Sequence, residues 1–196
     1  MSVPTMTSLP TAPVPMDEAA DHAARLLAAL GLDLSGPELA ATPGRMVRAL
    51  KEMTTPPTFT ATDFETTAEP GQLVLVRDIR FVSVCEHHVL PFTGVAHIGY
   101  VPRKRILGLS KVARVVHHCA RRLQVQERLT GQIADWMVEH PDPAGVAVLL
   151  SAEHTCMTLR GVGATGSRTT TSSLRGVLLD DPAARAEFMS LAVSTP

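Results

Sequence analysis

Three residues of this chain have the types and the spacing of ligands to a soft metal ion. Cys85 and His88 are separated by two residues, a gap that lets both side chains reach one ion from a single turn, and Cys156 offers a distant second thiolate. Three protein ligands leave the fourth position of a tetrahedral Zn²⁺ ion open, and water bound there has a pKa of about 7. A closed fourth position would instead make the site structural. The Cys-x-x-His pattern favours a metal site over the alternative of buried cysteines and a hydrogen-bonded histidine.

Two further imidazoles accompany these ligands. His154 lies two residues before Cys156 in a predicted strand, and alternate residues of a strand point to the same side. We therefore expect both side chains to face the segment that carries Cys85. His87 is either the fourth ligand or a free imidazole near bound water, and its spacing is compatible with both roles.

Positive side chains near a predicted helix start could hold a phosphate group. Lys111 and Arg114 are three residues apart on a helix that Ser110 is placed to cap, so both lie near the positive end of its dipole. Arg160 follows Cys156 by four residues and could reach the same site. For any one of these charges, an ordinary surface position is the commoner alternative.

An amide and a carboxylate stand together at the start of another predicted helix, at Gln126 and Glu127. A carboxylate can accept two parallel N–H bonds, which is the edge that N1 and the exocyclic amine of guanine present. The alternative is that a Glu near a helix N-terminus is simply favoured by the helix dipole.

Composition bounds the classes of protein to which the chain can belong. It has 196 residues, of which 45% are hydrophobic and 19% charged, as expected for a compact domain with a core and a helical extension. The net charge of −1 gives no general reason to expect nucleic acid or an anionic membrane surface as a partner. Three cysteines without a disulfide framework, no secretory signal and no run of 18 apolar residues predict a cytoplasmic protein without a membrane span.

Hydrophobic periodicity predicts the elements that position these residues. Residues 1–16 are predicted as a disordered tail, 17–72 as an N-terminal helical region and linker, and 73–196 as the catalytic domain. Cys119 falls on the apolar stripe of the helix that Ser110 opens, which includes Leu109, and is expected to be a buried hydrophobe. The fold class is α+β, with an antiparallel sheet of order ββααββ that carries two helices on one face. The predicted helices span 17–30, 43–53, 109–123, 126–140 and 182–191, the strands 73–84, 93–101, 146–157 and 169–179, and a long loop 54–72.

Several strings of residues resemble GTP cyclohydrolase I of the zinc-dependent type, from about residue 17 to the last helix. The matching strings are Val84-Cys85-Glu86-His87-His88 with Leu90-Pro91-Phe92, Gly108-Leu109-Ser110-Lys111, Arg121-Arg122-Leu123-Gln124-Val125-Gln126-Glu127-Arg128-Leu129, and Glu153-His154-Thr155-Cys156-Met157 with Arg160-Gly161-Val162. The resemblance implies a tunnelling fold, in which subunits join side by side into a barrel. It also implies that two such rings stack as a homodecamer, with active sites at the subunit interfaces.

The resemblance implies that GTP and water are converted to 7,8-dihydroneopterin triphosphate and formate, the first step of tetrahydrofolate or other pterin biosynthesis. Alternatives are a paralogue that feeds a deazapurine or another pterin pathway, and a non-catalytic regulatory subunit. Position 48 is more often Lys in the family, whereas this chain has Arg48. The resemblance implies that Cys85, His88 and Cys156 bind Zn²⁺, that His154 donates a proton to N7 of guanine, and that His87 with Ser110 transfers protons at the sugar. It also implies that Gln126 and Glu127 recognise guanine. The implied triphosphate ligands are Lys111, Arg114 and Arg160, with Arg45 and Arg48 from a neighbouring subunit.

Overall fold

The structure is a computed structural model that describes residues 15–65 and 71–193. It divides into two compact units, Met1–Glu52 and Met53–Pro196. The predicted tail up to residue 14 and the loop segment 66–70 lie outside the described residues. The domain division expected from the sequence, with the catalytic domain beginning at residue 73, stays a prediction.

Two helices form the N-terminal region, α1 (Met16–Ala29) and α2 (Thr42–Thr54). Both were predicted from their apolar spacing, and Gly31 ends the first one with φ of +79°, a conformation that suits glycine. No helix within the described ranges is long and apolar enough to cross a membrane.

The second unit contains seven strands and five further helices among the described residues. In chain order they are β1 (Asp63–Glu65), β2 (Val74–Cys85), β3 (Pro91–Val101), β4 (Arg105–Leu107), α3 (Leu109–Ala120), β5 (Leu123–Gln124), α4 (Gln126–Glu139), β6 (Gly145–His154), α5 (Thr155–Thr158), β7 (Thr169–Gly176), α6 (Val177–Asp180) and α7 (Pro182–Val193). Five strands form one sheet of order β5-β2-β3-β6-β7, in which neighbours are antiparallel except β2 and β5, which are parallel. A separate antiparallel pair joins β1 to β4.

Alternation along β6 builds a core on each face of the sheet. Val146, Val148 and Leu150 pack with the buried faces of α3 and α4, as the ββααββ prediction required. Ala147 and Leu149 point to the other face, where buried side chains of α6 and α7 cover them. The sequence therefore predicts the main layers correctly, and the short final helices complete the second face. Two predicted boundaries are wrong: the helix predicted as 109–123 ends at Ala120, so that Leu123 joins the sheet in the parallel strand β5, and the strand predicted as 169–179 ends at Gly176 before α6.

The start of α3 differs from the prediction. Ser110 does not cap this helix, because Gly108 is the N-cap residue and makes no side-chain cap bond. The Gly108 N–H donates to the carbonyl of Thr62 at 3.0 Å, which keeps the chain extended up to that residue. Leu109 is 67% exposed and does not belong to the buried stripe, whereas Cys119 does.

The segment predicted as a long loop contains strand β1. Phe64 pairs with Ile106 of β4, and Asp63 accepts a hydrogen bond from Arg105 at 2.6 Å. A three-residue strand next to many Thr and Pro residues leaves no clear period in the sequence, so this pairing was missed. The β1–β4 pair and the Gly108–Thr62 bond therefore both hold the chain that leads into α3.

Candidate metal and catalytic site

The three predicted metal ligands converge in the structure. The Sγ atom of Cys85 lies 3.9 Å from Sγ of Cys156 and 3.7 Å from Nδ1 of His88. One ligand atom from each residue can be chosen so that all lie within 4.8 Å of one another. Both cysteines are buried, whereas His88 is exposed, so the cluster lies at the protein surface with its thiols inward.

The separations of these donor atoms fit a tetrahedral zinc ion. Zn–S bonds of about 2.3 Å and Zn–N bonds of about 2.0 Å place two sulfurs about 3.8 Å apart, and a sulfur and a nitrogen about 3.5 Å apart. The observed 3.9 and 3.7 Å agree with both values. Two thiols and an imidazole are also the donor types that zinc prefers, so the residues present fit the metal.

A tight connection between β2 and β3 holds the first two ligands. Cys85 is the last residue of β2, and its N–H donates to Leu90 while its carbonyl accepts from Val89, each at 2.8 Å. Val89 has φ of +54°, which is strained for a β-branched residue. The loop is therefore fixed by the backbone before any ligand is considered.

Cys156 is not on a strand, which corrects the sequence prediction. Strand β6 ends at His154, and Cys156 lies in the helical turn α5. The hydroxyl of Thr155 donates to the carbonyl of Pro91 at 2.5 Å, which ties this turn to the beginning of β3. In this turn the Cys156 thiol lies 3.9 Å from that of Cys85.

Burial raises the pKa of the Cys156 thiol, and the neighbouring Cys85 raises it further. Arg160, which donates to the Cys156 carbonyl at 3.4 Å, acts in the opposite direction. A metal cation bound between the two sulfurs would favour the thiolate form of Cys156.

His154 is held on two sides next to the cluster. Its ring stacks on Phe92 with centroids 4.5 Å apart and planes inclined by 6°. Its Nε2 lies 2.8 Å from Oε1 of Gln126. Burial lowers the pKa of His154, and the carboxylate of Glu127 partly opposes that shift.

A cavity of about 280 Å³ joins the metal cluster to the start of α4. Glu127 is exposed and lines it, whereas Gln126 lines it with only 1% of its surface exposed. The predicted residues that share this cavity are Cys85, His87, His88, Gln126, Glu127, His154 and Cys156.

His87 is an exposed imidazole near the thiols. Its Nδ1 lies 4.0 Å from the Cys85 sulfur, and its Nε2 lies 3.9 Å from the carboxylate of Glu86. Glu86 also forms an ion pair with Arg128 of α4. This pair links the connection between β2 and β3, here called the metal loop, to that helix. Its role as proton carrier or fourth ligand stays a prediction.

The other predicted residues lie outside this cavity. Ser110, Lys111 and Arg114 belong to the first two turns of α3, and Arg114 lines a different cavity with Phe59 and other residues. Arg160 is exposed and donates to the Cys156 carbonyl. Arg45 and Arg48 lie on α2. Their predicted contacts with substrate stay predictions.

Several residues near the site were not predicted. Phe92 stacks on His154. The Thr171 hydroxyl accepts from the side-chain amide of Gln126, and the Thr130 hydroxyl donates to its backbone carbonyl. Thr169 and Thr171 alternate on β7 and therefore share one face, which is the signal that could have identified them. Thr130 follows Gln126 by one helical turn and could have been found in the same way.

Comparison with known proteins identifies the relatives of this chain. The family model for GTP cyclohydrolase I matches residues 19–193. A protein named GTP cyclohydrolase 1 from Caldanaerobacter subterraneus subsp. tengcongensis is 49% identical over 85% of this chain and 90% of its own length. Proteins of the same name from Deinococcus radiodurans and Mycobacteroides abscessus are 49% and 47% identical, over 86% and 91% of this chain and 80% and 91% of their own lengths.

Among solved structures, the archaeosine synthase QueF-like in its apo form aligns with a TM-score of 0.46 at 16% identity, over 55% of this chain and 97% of that one. The sequence matches are far closer and span most of both partners. Together with the family model, they show that this chain belongs to the GTP cyclohydrolase I family.

Proposed function

We propose that this protein is a zinc-dependent GTP cyclohydrolase I, which converts GTP and water to formate and 7,8-dihydroneopterin triphosphate. The observation that carries the proposal is the Cys85, His88 and Cys156 donor set beside His154 in one cavity, in a chain of this family. Zinc held by those three residues would act as a Lewis acid and would lower the pKa of a bound water to about 7, so that hydroxide is available at neutral pH.

His154 is proposed to donate a proton to N7 of guanine when the imidazole ring of the base opens. Its ring is fixed by Phe92 and Gln126 at the edge of the cavity. An imidazole can exchange protons near neutral pH, which suits an acid that must be reset in every turnover. His87, with Ser110, is proposed to move protons at the sugar during the later rearrangement.

Glu127 is proposed to recognise the guanine edge. Its carboxylate is exposed at the cavity and can accept the N1–H and the exocyclic amine together. A purine without these donors would leave the carboxylate unpaired, which disfavours its binding. The triphosphate is assigned to a set of positive side chains, namely Lys111, Arg114 and Arg160 with Arg45 and Arg48.

We also propose that the protein is a homodecamer of two stacked pentameric rings. Within the described ranges no strand pairs with the outer edge of β7, so a neighbouring subunit could cover it. Leu159 and Val162, which follow the helical turn α5, are 77% and 75% exposed. These exposed apolar side chains support a subunit contact at this surface. Sedimentation analysis should give a mass ten times that of one chain, and a monomeric active enzyme would contradict the assembly.

Turnover is tested by incubating the zinc-loaded protein with GTP. We expect formate in a formate dehydrogenase assay, together with a pterin that fluoresces after oxidation. His154→Ala should keep zinc and lose turnover, whereas Cys156→Ala should lose both. A fully zinc-loaded wild-type protein that releases no formate would disprove the catalytic proposal and favour a non-catalytic subunit.

A further inference from the structure

We propose that Gln126 is a positioning residue that fixes the tautomer and the ring orientation of His154, so that the proton exchanged with substrate is carried on Nδ1. This inference rests on the proposed function, in which His154 is the proton donor. It assigns Gln126 a different task from the recognition of guanine that the family resemblance implies.

The contacts of Gln126 determine which way its amide points. Its Nε2 lies 3.0 Å from the carbonyl of Thr169, 3.1 Å from the hydroxyl of Thr171 and 3.4 Å from the carbonyl of Leu150. A carbonyl oxygen can only accept, so the NH₂ group must face these atoms. The reversed amide would place Oε1 against two carbonyl oxygens, and Oε1 therefore faces His154.

Two threonine hydroxyls account for the remaining hydrogen bonds around Gln126, whose amide is already oriented by the carbonyls. Thr130 donates to the backbone carbonyl of Gln126 at 2.7 Å, which uses its only proton. The hydroxyls of Thr130 and Thr171 are 2.6 Å apart, so Thr171 donates to Thr130. Thr171 is then free to accept from the Gln126 amide. The chain of bonds closes on Gln126 with one proton in each bond.

His154 must donate to this fixed acceptor. A hydrogen bond of 2.8 Å between Nε2 and Oε1 of Gln126 requires the proton to be on Nε2. Stacking on Phe92 fixes the plane of the same ring. Within the described part of the chain, Nδ1 of His154 has no hydrogen-bond partner.

The proton balance follows from this arrangement. In the imidazolium form both nitrogens carry protons, and Nε2 keeps its proton because Gln126 accepts it. The Nδ1–H bond breaks as a new N–H bond forms on N7 of the base, and the ring becomes the neutral Nε2–H tautomer. The ring then regains a proton at Nδ1. An acid that always loses the same proton needs no ring rotation between turnovers.

The burial of Gln126 separates this role from direct substrate binding. The residue is only 1% exposed, and both ends of its side-chain amide are occupied by the protein. Glu127, the next residue, is exposed at the cavity and is available to the base. A residue that acts through His154 should affect the rate of proton transfer more than the affinity for GTP.

The test is Gln126→Met, which has a similar length and no amide acceptor for His154. We expect kcat to fall about 100-fold, the usual contribution of a well-placed general acid, with KM for GTP changed less than about threefold. Zinc content should be unchanged. Thr130→Val is the matched control, because it removes a buried hydroxyl from the same cluster and leaves the Gln126–His154 bond in place. The control should lose stability but keep most of its kcat.

A spectroscopic measurement tests the tautomer without any variant. Magic-angle-spinning NMR of zinc-loaded, ¹⁵N-histidine-labelled wild-type protein at about pH 8.5, two units above the usual histidine pKa, should show His154 as the Nε2–H tautomer. Its signal is identified by its absence from His154→Ala. Gln126→Met should show a mixture of tautomers.

Three outcomes would overturn the inference: an Nδ1–H tautomer in the wild type, a rise in KM with unchanged kcat in Gln126→Met, or equal loss of kcat in Thr130→Val. Failure of the proposed function has a different signature. In that case the wild-type protein releases no formate, while the NMR spectrum still reports the tautomer of His154.

Discussion

Replacement of Cys156 by alanine tests the metal site most directly. The Cys156 sulfur is 3.9 Å from that of Cys85, and both are buried, so the variant removes one of three protein ligands without exposing a new polar group. Zinc sites with four protein ligands bind with about 10–16 kcal/mol, or roughly 2.5–4 kcal/mol per ligand. Because 1.4 kcal/mol is about tenfold, the zinc dissociation constant should rise about 60- to 700-fold.

Competition with a chromophoric chelator measures this change, and Cys119→Ala is the matched control. Cys119 is 6% exposed in the core of the same unit, and burial raises the pKa of its thiol to about 11. This control should lose about 1 kcal/mol of stability and keep its zinc affinity within about twofold. Equal zinc affinity in Cys156→Ala and the wild type would refute the ligand assignment.

The same competition repeated at lower pH tests the electrostatic reasoning. Burial and the neighbouring thiol raise the pKa of Cys156, so the metal-free protein holds this proton to a higher pH than an ordinary cysteine. Zinc must displace the proton, and its affinity should therefore fall as pH falls, by about tenfold per unit for each thiol proton displaced. A pH-independent zinc affinity would mean that the thiols are not ligands.

Two further substitutions separate substrate recognition from support of the metal loop. Glu127→Gln should raise KM for GTP about 10- to 100-fold and reduce the preference for GTP over ITP, since a hydrogen bond to a charged group is worth about 1.5–3 kcal/mol. Glu139→Gln, at the other end of α4, is the control, and an unchanged GTP preference would contradict the assignment. Arg128→Met removes the ion pair with Glu86 in the metal loop and should weaken zinc binding about 10- to 100-fold in the chelator competition. Arg168→Met, whose guanidinium bonds to Ser151 instead, should leave zinc affinity unchanged, and equal effects of the two variants would argue against a specific role for Arg128.

The sequence was most informative where chemistry demands particular residue types at a short spacing. Cys85 and His88 could be paired from two intervening residues, and Cys156 could be joined to them as a distant second thiolate. The main strands and helices also followed from periodicity, because a residue that faces a core must recur every two or every 3.6 positions. These are the features that local sequence determines.

Features that depend on tertiary contacts were less predictable. Apolar and β-branched residues run past His154, so periodicity extended strand β6 through Cys156, whereas the bond from Thr155 to Pro91 turns the chain into α5. The cap expected at Ser110 was displaced because Gly108 bonds to Thr62, a residue 46 positions earlier in the chain. Neither partner can be identified from the residues next to it.

The N-terminal end of β3 explains why residues 71 positions apart form one site. Pro91 pairs with Val84, directly before Cys85, while Phe92 pairs with His154 across the opposite edge of the same strand. A shift of either register by one residue would turn the paired side chains to the other face of the sheet. Phe92 then stacks on His154, and Pro91 accepts the bond from Thr155 that begins the Cys156 turn. Two adjacent residues of one central strand thus set the positions of both thiols and of the imidazole, although neither of them takes part in the proposed chemistry.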